Sequence, residues 1–300
     1  MRLATFARHG VARLGAVVGE RVVDLAALAA ACGRHLPDNM LAFIDDAEGN
    51  LALAGELLAA AGEREGYPLA EVRLLAPIPR PRQNVIAVGR NYREHAREIL
   101  RAQGEAAAFP EHPLFFTKRA TAVIGPEEPI LWQPSVSDAF DREVELVVVF
   151  GRRGRNIPRE RAYDYVFGYT CADDVAARDV QLRKHGGQWF KGASLDNSCP
   201  LGPWLVTRDE LPNPHDLRLT CRVNGVLKQD ASTSQMVFDI PALIEELSAG
   251  MTLEPGDVLL TGAPAGAGIG FDPPEFLRAG DVIEVAIEGI GTLRNPVVEG

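Results

Sequence analysis

A proline-rich segment at residues 76–82 constrains the fold of this 300-residue chain more than any other feature. Prolines stand at positions 77, 79 and 81. Each one removes a backbone donor and disfavours a helical conformation at the residue before it. The segment therefore favours an extended connection, and the sequence predicts a small N-terminal α+β domain at 1–76 followed by a larger domain at 77–300.

Strand signals outnumber helix signals along the chain. Alternating or apolar runs bounded by turn residues predict strands at 15–19, 21–24, 84–89, 143–150, 257–260 and 282–287. Helical patterns occur at 51–61, at 90–100 with Asn91 as N-cap, and at 239–248. Asn224 and Gly225, between apolar residues, predict a type I′ hairpin. Because the strands are not regularly interleaved with helices, we predict an α+β fold built as a β-rich roll.

The charge balance argues against nucleic acid as a partner. The chain has 31 Lys and Arg residues against 41 Asp and Glu residues, which gives a net charge of −10. An acidic chain repels a phosphate backbone unless it carries a local basic groove. No apolar run approaches the roughly 20 residues of a membrane helix, and the arginines near the N-terminus do not fit a signal peptide. We therefore predict a cytoplasmic protein without nucleic-acid or membrane partners.

Two glutamates of the strand at 143–150 form the first candidate site. Residues i and i+2 of a strand point to the same side, so Glu143 and Glu145 would project together. A third carboxylate from the acidic segment around Asp174 would complete an all-oxygen site, which suits Mg²⁺ or Mn²⁺ better than Zn²⁺. The alternative is a solvated edge strand for the glutamates and a salt-bridged helix start with Asp174 as N-cap.

His95 and Glu98 form the second candidate site. They are three residues apart in the predicted helix at 90–100, which places them within contact range on one face. A carboxylate on one imidazole nitrogen fixes the tautomer and makes the other nitrogen more basic, so the pair could activate a water. The alternative is an ordinary surface pair on a helix rich in Arg and Glu. The Gly-rich stretch at 261–270 lacks the features of a phosphate-binding loop, and it predicts a loop whose backbone approaches a ligand.

Several segments together resemble the fumarylacetoacetate hydrolase (FAH) superfamily. In chain order they are NVIAVGRNYREHAREI, PLFFTKRATAVIGP, DREVELVVVFG, YVFGYTCADDVAARDVQ, SLDNSCPLGPWLV, RVNGVLKQ, LEPGDVLLTGAPAG and GDVIEVAIEGIGTLRNPV. The resemblance covers about residues 77–297. The chain is most similar to bacterial members of comparable length, which include acylpyruvate hydrolases and oxaloacetate decarboxylases.

The resemblance implies a mixed β-sandwich roll, usually dimeric, with a Mg²⁺ or Mn²⁺ site. It makes metal ligands of three carboxylates and places a catalytic dyad on a lid-like helix: Glu143, Glu145 and Asp174, then His95 and Glu98. It further implies that Lys118 and Gln181 contact the substrate. We therefore predict a homodimer that acts on a small 2-oxo acid.

Two positions depart from the family pattern. Ala193 stands where members carry a lysine near the metal, and the nearest lysine is Lys191. If this segment is extended, positions 191 and 193 face the same side, and we predict that Lys191 points into the pocket and binds substrate in place of the missing amine. The alternative is that Lys191 is a solvated surface residue and that the pocket is less cationic. Ala263 stands where members carry a threonine that contacts substrate, so that hydroxyl is missing.

The resemblance, together with these residues, implies a divalent-metal-dependent hydrolase that cleaves a C–C bond in a 2,4-dioxo acid of the acylpyruvate or fumarylpyruvate type. The metal would stabilise the enolate that leaves, and His95 would activate the attacking water. Alternatives on the same site are decarboxylation of oxaloacetate and isomerisation of a 2-hydroxy-dienoate. An alternative of another class, raised by Ala193 and Ala263, is a catalytically reduced protein that binds a metal or ligand.

Overall fold

Strands dominate the protein, whose computed structural model describes residues 1–62, 65–104 and 109–300. In these ranges the α-helices are α1 (Leu25–Ala31), α2 (Met40–Asp45), α3 (Ala47–Ala60), α4 (Arg93–Gln103), α5 (Arg178–Leu182), α6 (Phe190–Ala193) and α7 (Ile240–Ser248). The strands are β1 (Arg2–Arg8), β2 (Val11–Val18), β3 (Arg21–Asp24), β4 (Tyr67–Pro68), β5 (Arg73–Leu74), β6 (Val85–Gly89), β7 (Leu114–Lys118), β8 (Val123–Ile124), β9 (Ile130–Trp132), β10 (Phe140–Asp141), β11 (Val144–Phe150), β12 (Gly154–Arg155), β13 (Val166–Asp173), β14 (Ala176–Ala177), β15 (Cys199–Thr207), β16 (Arg218–Val223), β17 (Val226–Ser232), β18 (Thr252–Leu253), β19 (Val258–Leu260), β20 (Val282–Ile287) and β21 (Gly291–Glu299). Mixed sheets combined with helices confirm the predicted α+β fold. Every helix in these ranges is too short or too polar to cross a lipid bilayer.

The structure has two large sheets, and strand β11 lies within the first of them. The first has the order β4-β3-β2-β1-β15-β13-β11-β19-β6-β7, and the second has the order β17-β16-β20-β21-β9. Leu146 and Val148 of β11 pack with the second sheet and α7. Val147 and Val149 point the other way and pack with the N-terminal helices. Burial of both faces explains why residues 146–150 of this strand are an unbroken apolar run.

The N-terminal part shares a sheet with the rest of the chain. Strand β1 pairs with β15, where Arg2 lies opposite Val206 and Leu3 lies opposite Leu205. Apolar residues of α1, α2 and α3 join residues of β11 and β15 in one buried cluster. The domain boundary at residue 76 stays a prediction, and a backbone hydrogen-bond ladder connects the two sides of it.

The hairpin and the last helix follow their sequence signals. Asn224 and Gly225 connect β16 and β17 with φ angles of 51° and 78°, which is type I′ geometry. Helix α7 begins after Asp239, whose carboxylate accepts a hydrogen bond from the backbone of Ala242 at 2.9 Å. Local residues specify both elements. Asn224 and Gly225 adopt the positive φ angles of the turn, and Asp239 accepts a hydrogen bond from the first turn of α7.

The predicted N-cap Asn91 is wrong. Helix α4 begins at Arg93 after Tyr92, with no side-chain cap among the described residues. The Asn91 amide nitrogen instead donates to the carbonyl oxygens of Thr261 at 2.7 Å and Phe238 at 3.0 Å. Its oxygen accepts from the backbone N–H of Phe238 at 2.8 Å. Asn91 therefore ties the start of α4 to two distant segments.

Candidate metal centre and lid

Three buried carboxylates converge at one end of β11 and β13. Glu143 immediately precedes β11, Glu145 lies within it, and Asp174 immediately follows β13. Because the two strands are antiparallel neighbours, the start of one lies beside the end of the other. One ligand oxygen from each carboxylate lies within 4.8 Å of the others. The structure thus brings together the three side chains that the sequence assigned to a metal.

The electrostatics of this cluster fit a divalent cation. Burial, together with the neighbouring carboxylates of Asp174 and Glu143, raises the pKa of Glu145 well above its usual range. Burial raises the pKa of Asp174 as well, although Lys118 opposes the shift. Clustered anions of this kind are stabilised by a cation among them. Three carboxylates without a nitrogen or sulfur donor are the ligands that a hard ion such as Mg²⁺ or Mn²⁺ prefers.

Lys118 holds one of the three carboxylates. Its Nζ donates to Asp174 Oδ1 at 2.5 Å and to the carbonyl oxygen of Val175 at 2.9 Å. The lysine side chain has no exposed surface. The sequence assigned Lys118 to the substrate, and that contact stays a prediction. In the structure its amine neutralises and orients a candidate metal ligand.

Arg178 holds a second carboxylate, and sequence reasoning had placed it only in a salt-bridged cluster. Its Nη2 donates to Glu143 Oε1, and its Nε donates to Asp141 at 2.9 Å. Its Nη1 donates to the side-chain oxygen of Gln181 at 2.9 Å. The available signal was its place in the charged segment that follows Asp174, and in the structure it is the first residue of α5.

Helix α4 lies closed over the cluster. His95 Nε2 is 2.8 Å from Glu143 Oε1, and His95 Nδ1 is 3.4 Å from Glu98 Oε2. Burial lowers the pKa of His95, but the Glu143 and Glu98 carboxylates outweigh burial and raise it to about 9. Burial also opposes ionisation of Glu143, yet Arg178 and His95 hold its pKa at about 2. The His95 ring therefore bridges the lid and the carboxylates, with Glu143 beside Nε2 and Glu98 beside Nδ1.

The Gly-rich stretch binds acidic side chains of the site. The N–H of Gly262 donates to Glu145 Oε2 at 2.7 Å. Gly262 has a φ angle of +101°, and a Cβ there would lie 2.6 Å from the Cβ of Asn91. The N–H of Gly266 donates to Glu98 on the lid. The sequence predicted close approach of this backbone to a ligand, and in the structure the backbone approaches carboxylates of the same chain.

A small cavity remains beneath the lid. It measures about 20 Å³ and is lined by the three carboxylates, by His95, and by residues that include Gln181, Ala263 and Trp189. A cavity of this size holds about one ordered water. Gln181 therefore has the position expected of a substrate contact, and its contact with substrate stays a prediction.

The extended conformation and inward orientation predicted for Lys191 are wrong, and its contact with substrate stays a prediction. Residues 190–193 form the short helix α6 instead of an extended segment, so positions 191 and 193 do not share a side. Lys191 is exposed and does not line the cavity, whereas Ala193 is fully buried. A lysine beside the carboxylates is nevertheless present, because Lys118 enters from β7.

Comparison with known proteins identifies the family. The family model described as "Fumarylacetoacetate (FAA) hydrolase C-terminal" matches residues 84–298. The chain belongs to the fumarylacetoacetate hydrolase family. The resemblance predicted from the motifs is therefore confirmed, and the protein is an enzyme of the FAH superfamily.

Relatives in this family carry different activities in their names. Oxaloacetate tautomerase YisK of Bacillus subtilis (strain 168) is 49% identical over 231 residues, which cover 77% of this chain and 75% of that protein. Human mitochondrial oxaloacetate tautomerase FAHD2A is 42% identical over 263 residues, which cover 88% and 81%. The structure of maleylpyruvate hydrolase from Sphingobium sp. SYK-6 with manganese(II) and pyruvate gives a TM-score of 0.79 at 34% identity over the full length of both chains. The residue roles, the homodimer and the cytoplasmic location stay predictions.

Proposed function

We propose that this protein is a divalent-metal-dependent tautomerase that interconverts the keto and enol forms of oxaloacetate or a similarly short dicarboxylic 2-oxo acid. The observation that carries the proposal is the buried imidazole of His95, which faces three clustered carboxylates from a closed lid. Tautomerisation moves one proton between a carbon and an oxygen, so it needs a proton-exchanging group beside a polarised carbonyl. Two relatives at 49% and 42% identity are named oxaloacetate tautomerases, which supports this choice.

Glu143, Glu145 and Asp174 would hold the metal, which we propose to be Mg²⁺ or Mn²⁺. Their carboxylate oxygens suit a hard cation and leave coordination positions for oxygens of a substrate. When bound, the ion supplies a Lewis acid that polarises the 2-oxo carbonyl and makes the adjacent carbon more acidic. The related maleylpyruvate hydrolase structure contains manganese(II) together with a 2-oxo acid, pyruvate, which supports both assignments.

His95 is the proposed proton-transfer residue, and Nε2 is its reacting atom. Glu98 accepts from Nδ1 and keeps the ring in one orientation and tautomer. The side-chain oxygen of Gln181 accepts a hydrogen bond from Nη1 of Arg178. The amide nitrogen of Gln181 is therefore the end that can donate to a substrate carboxylate.

The closed lid favours proton transfer over hydrolysis. A four-carbon acid is much larger than the cavity of about 20 Å³, so helix α4 must open to admit it. Closure then expels water from the site. Tautomerisation needs no water as a reactant, whereas hydrolysis of a C–C bond requires one beside the substrate.

Hydrolysis of an acylpyruvate is the second candidate, and a neighbouring cavity favours it. This cavity of about 420 Å³ shares Arg178 and Leu182 with the metal site, and its lining also includes Phe271 and Phe276. A longer acyl chain could extend into it when the lid is open. The full-length likeness to a maleylpyruvate hydrolase supports this alternative.

To test the proposal, Mn²⁺-loaded protein is assayed separately with enol-oxaloacetate and with a set of acylpyruvates. Loss of enol absorbance reports tautomerisation, coupled detection of pyruvate reports decarboxylation, and loss of dioxo-acid absorbance reports hydrolysis. We expect faster loss of the enol than in buffer with the same Mn²⁺, without matching release of pyruvate. Metal-stripped protein and Glu143→Gln serve as controls.

The other outcomes are distinct. Release of pyruvate at the rate of enol loss would identify a decarboxylase, and faster cleavage of an acylpyruvate would identify the hydrolase. Bound Mn²⁺ without any turnover would identify the catalytically reduced binding protein. Each of these results contradicts the tautomerase proposal.

A further inference from the structure

The loop at residues 265–271 contacts the lid at two points. The N–H of Gly266 lies 3.0 and 3.1 Å from the two carboxylate oxygens of Glu98. The carbonyl oxygen of Gly270 accepts from Nη2 of Arg101 at 2.7 Å. Glu98 and Arg101 are three residues apart on α4 and lie on one face of it. One short loop therefore receives the face of the lid that also carries the dyad.

Gly270 permits this contact because it lacks a side chain. A Cβ at this position would lie 2.6 Å from Cδ of Glu98 and 2.8 and 2.9 Å from its two oxygens. These distances are well inside van der Waals contact, so the carboxylate would have to move. The atoms displaced belong to the end of a flexible side chain, and no backbone atom is among them. An alanine at position 270 would therefore disturb Glu98 more than the fold.

The same loop also reaches the metal site from its other side. The N–H groups of Gly268 and Ile269 donate to the two oxygens of Asp141 at 2.5 and 3.0 Å. Asp141 is fully buried and also accepts from Nε of Arg178, which holds Glu143. The same loop is thus hydrogen-bonded both to the lid and to the residues that hold the carboxylate site.

We propose that residues 266–270 are the seat of the closed lid, and that Gly270 is a positioning residue. The seat holds Glu98, and Glu98 in turn holds the imidazole of His95 over the carboxylates. The Gly-rich stretch then serves lid closure instead of phosphate or substrate binding. The expected loss of turnover rests on the proposed function, whereas the expected change in lid closure does not.

The test compares Gly270→Ala with a matched control, Gly55→Ala. Gly55 lies in α3, and a Cβ there would meet no atom within 4 Å. Hydrogen exchange of the α4 amides is measured for both variants and for the wild type, with and without Mn²⁺ and oxalate. We expect Gly270→Ala to speed this exchange at least roughly tenfold, the factor for loss of one hydrogen bond to a charged group. Exchange elsewhere and the melting temperature should stay unchanged.

Kinetics then separate positioning from general damage. For Gly270→Ala we expect kcat to fall while KM changes less, because closure follows the arrival of substrate. In a Glu98→Ala background, Gly270→Ala should have no further effect on kcat, since the side chain it displaces is already gone.

Three results would overturn the proposal. The first is exchange of the α4 amides in Gly270→Ala equal to that in Gly55→Ala. The second is a loss of protection spread over the whole molecule. The third is an effect of Gly270→Ala on kcat that persists undiminished without Glu98. If exchange changes as expected but no substrate turns over, the seat stands and the tautomerase proposal fails.

Discussion

Replacing Lys118 by methionine should destabilise the metal-free protein strongly. The Nζ atom lies 2.5 Å from Asp174 Oδ1, and the two side chains are 0% and 2% exposed. Removal of one partner of a buried ion pair costs about 3–5 kcal/mol, because the other charge is left uncompensated. Methionine fills a similar volume, so little of this loss arises from a cavity. For 300 residues, an unfolding entropy of about 2.1 cal/mol/K per residue converts the loss to a Tm about 5–8 °C lower.

Saturating Mn²⁺ should reduce this deficit. A divalent ion on Asp174 supplies the positive charge that the lysine provided, so the variant gains more from the ion than the wild type does. By linkage, Lys118→Met should then bind Mn²⁺ more tightly. Urea unfolding followed by circular dichroism, in chelator and in Mn²⁺, measures both effects.

Lys191→Met is the matched control, because it removes an exposed lysine that does not line the cavity at the carboxylates. Its stability should stay within about 0.5 kcal/mol of the wild type. The reasoning is refuted if Lys118→Met loses no more stability than Lys191→Met, or if Mn²⁺ leaves the difference between them unchanged.

Three further substitutions test other parts of the site. Glu143→Gln should keep the fold but remove both the thermal shift produced by Mn²⁺ and the turnover; a normal shift in scanning fluorimetry would show that Glu143 is not a ligand. His95→Gln should still bind Mn²⁺ in an electron paramagnetic resonance titration but lose about 10²–10⁴-fold in kcat, the usual contribution of a general acid–base group; an unchanged kcat would end its assigned role. Asn91→Ala should lower the free energy of unfolding by about 1–3 kcal/mol, because it leaves buried partners of its amide unpaired; a urea midpoint equal to that of the wild type would contradict this.

Sequence patterns predicted two kinds of element: those specified by their own local residues, and the strand that is buried on both faces. Residues 146–150 of β11 are buried on both faces, as their continuous apolar composition predicts. The Asn224–Gly225 turn follows from the backbone conformation that those residues tolerate. The convergence of Glu143 and Glu145 with Asp174 depends on the pairing of β11 with β13, which the family resemblance supplied and spacing could not.

The wrong predictions have two causes, a set of long-range hydrogen bonds at Asn91 and a local helical turn at Lys191. The sequence around Asn91 is typical of a helix cap. Its side-chain amide instead donates hydrogen bonds to residues 147 and 170 positions away along the chain. Lys191 lies two residues from the family lysine position, yet a single helical turn directs the segment differently. The buried lysine of the site comes from β7, so its contact with Asp174 depends on the order of the strands in the sheet. A single sequence carries no pattern for such partners.

The most direct test of the metal-dependent tautomerase compares metal occupancy with rate in one titration. Mn²⁺ is added to metal-stripped protein, free Mn²⁺ is measured by electron paramagnetic resonance, and the rate of loss of enol-oxaloacetate is measured in the same samples. The account predicts one Mn²⁺ per chain and a rate that rises in proportion to occupancy, with neither in Glu143→Gln. Full activity in the metal-stripped protein, or a rate that does not follow occupancy, would contradict it.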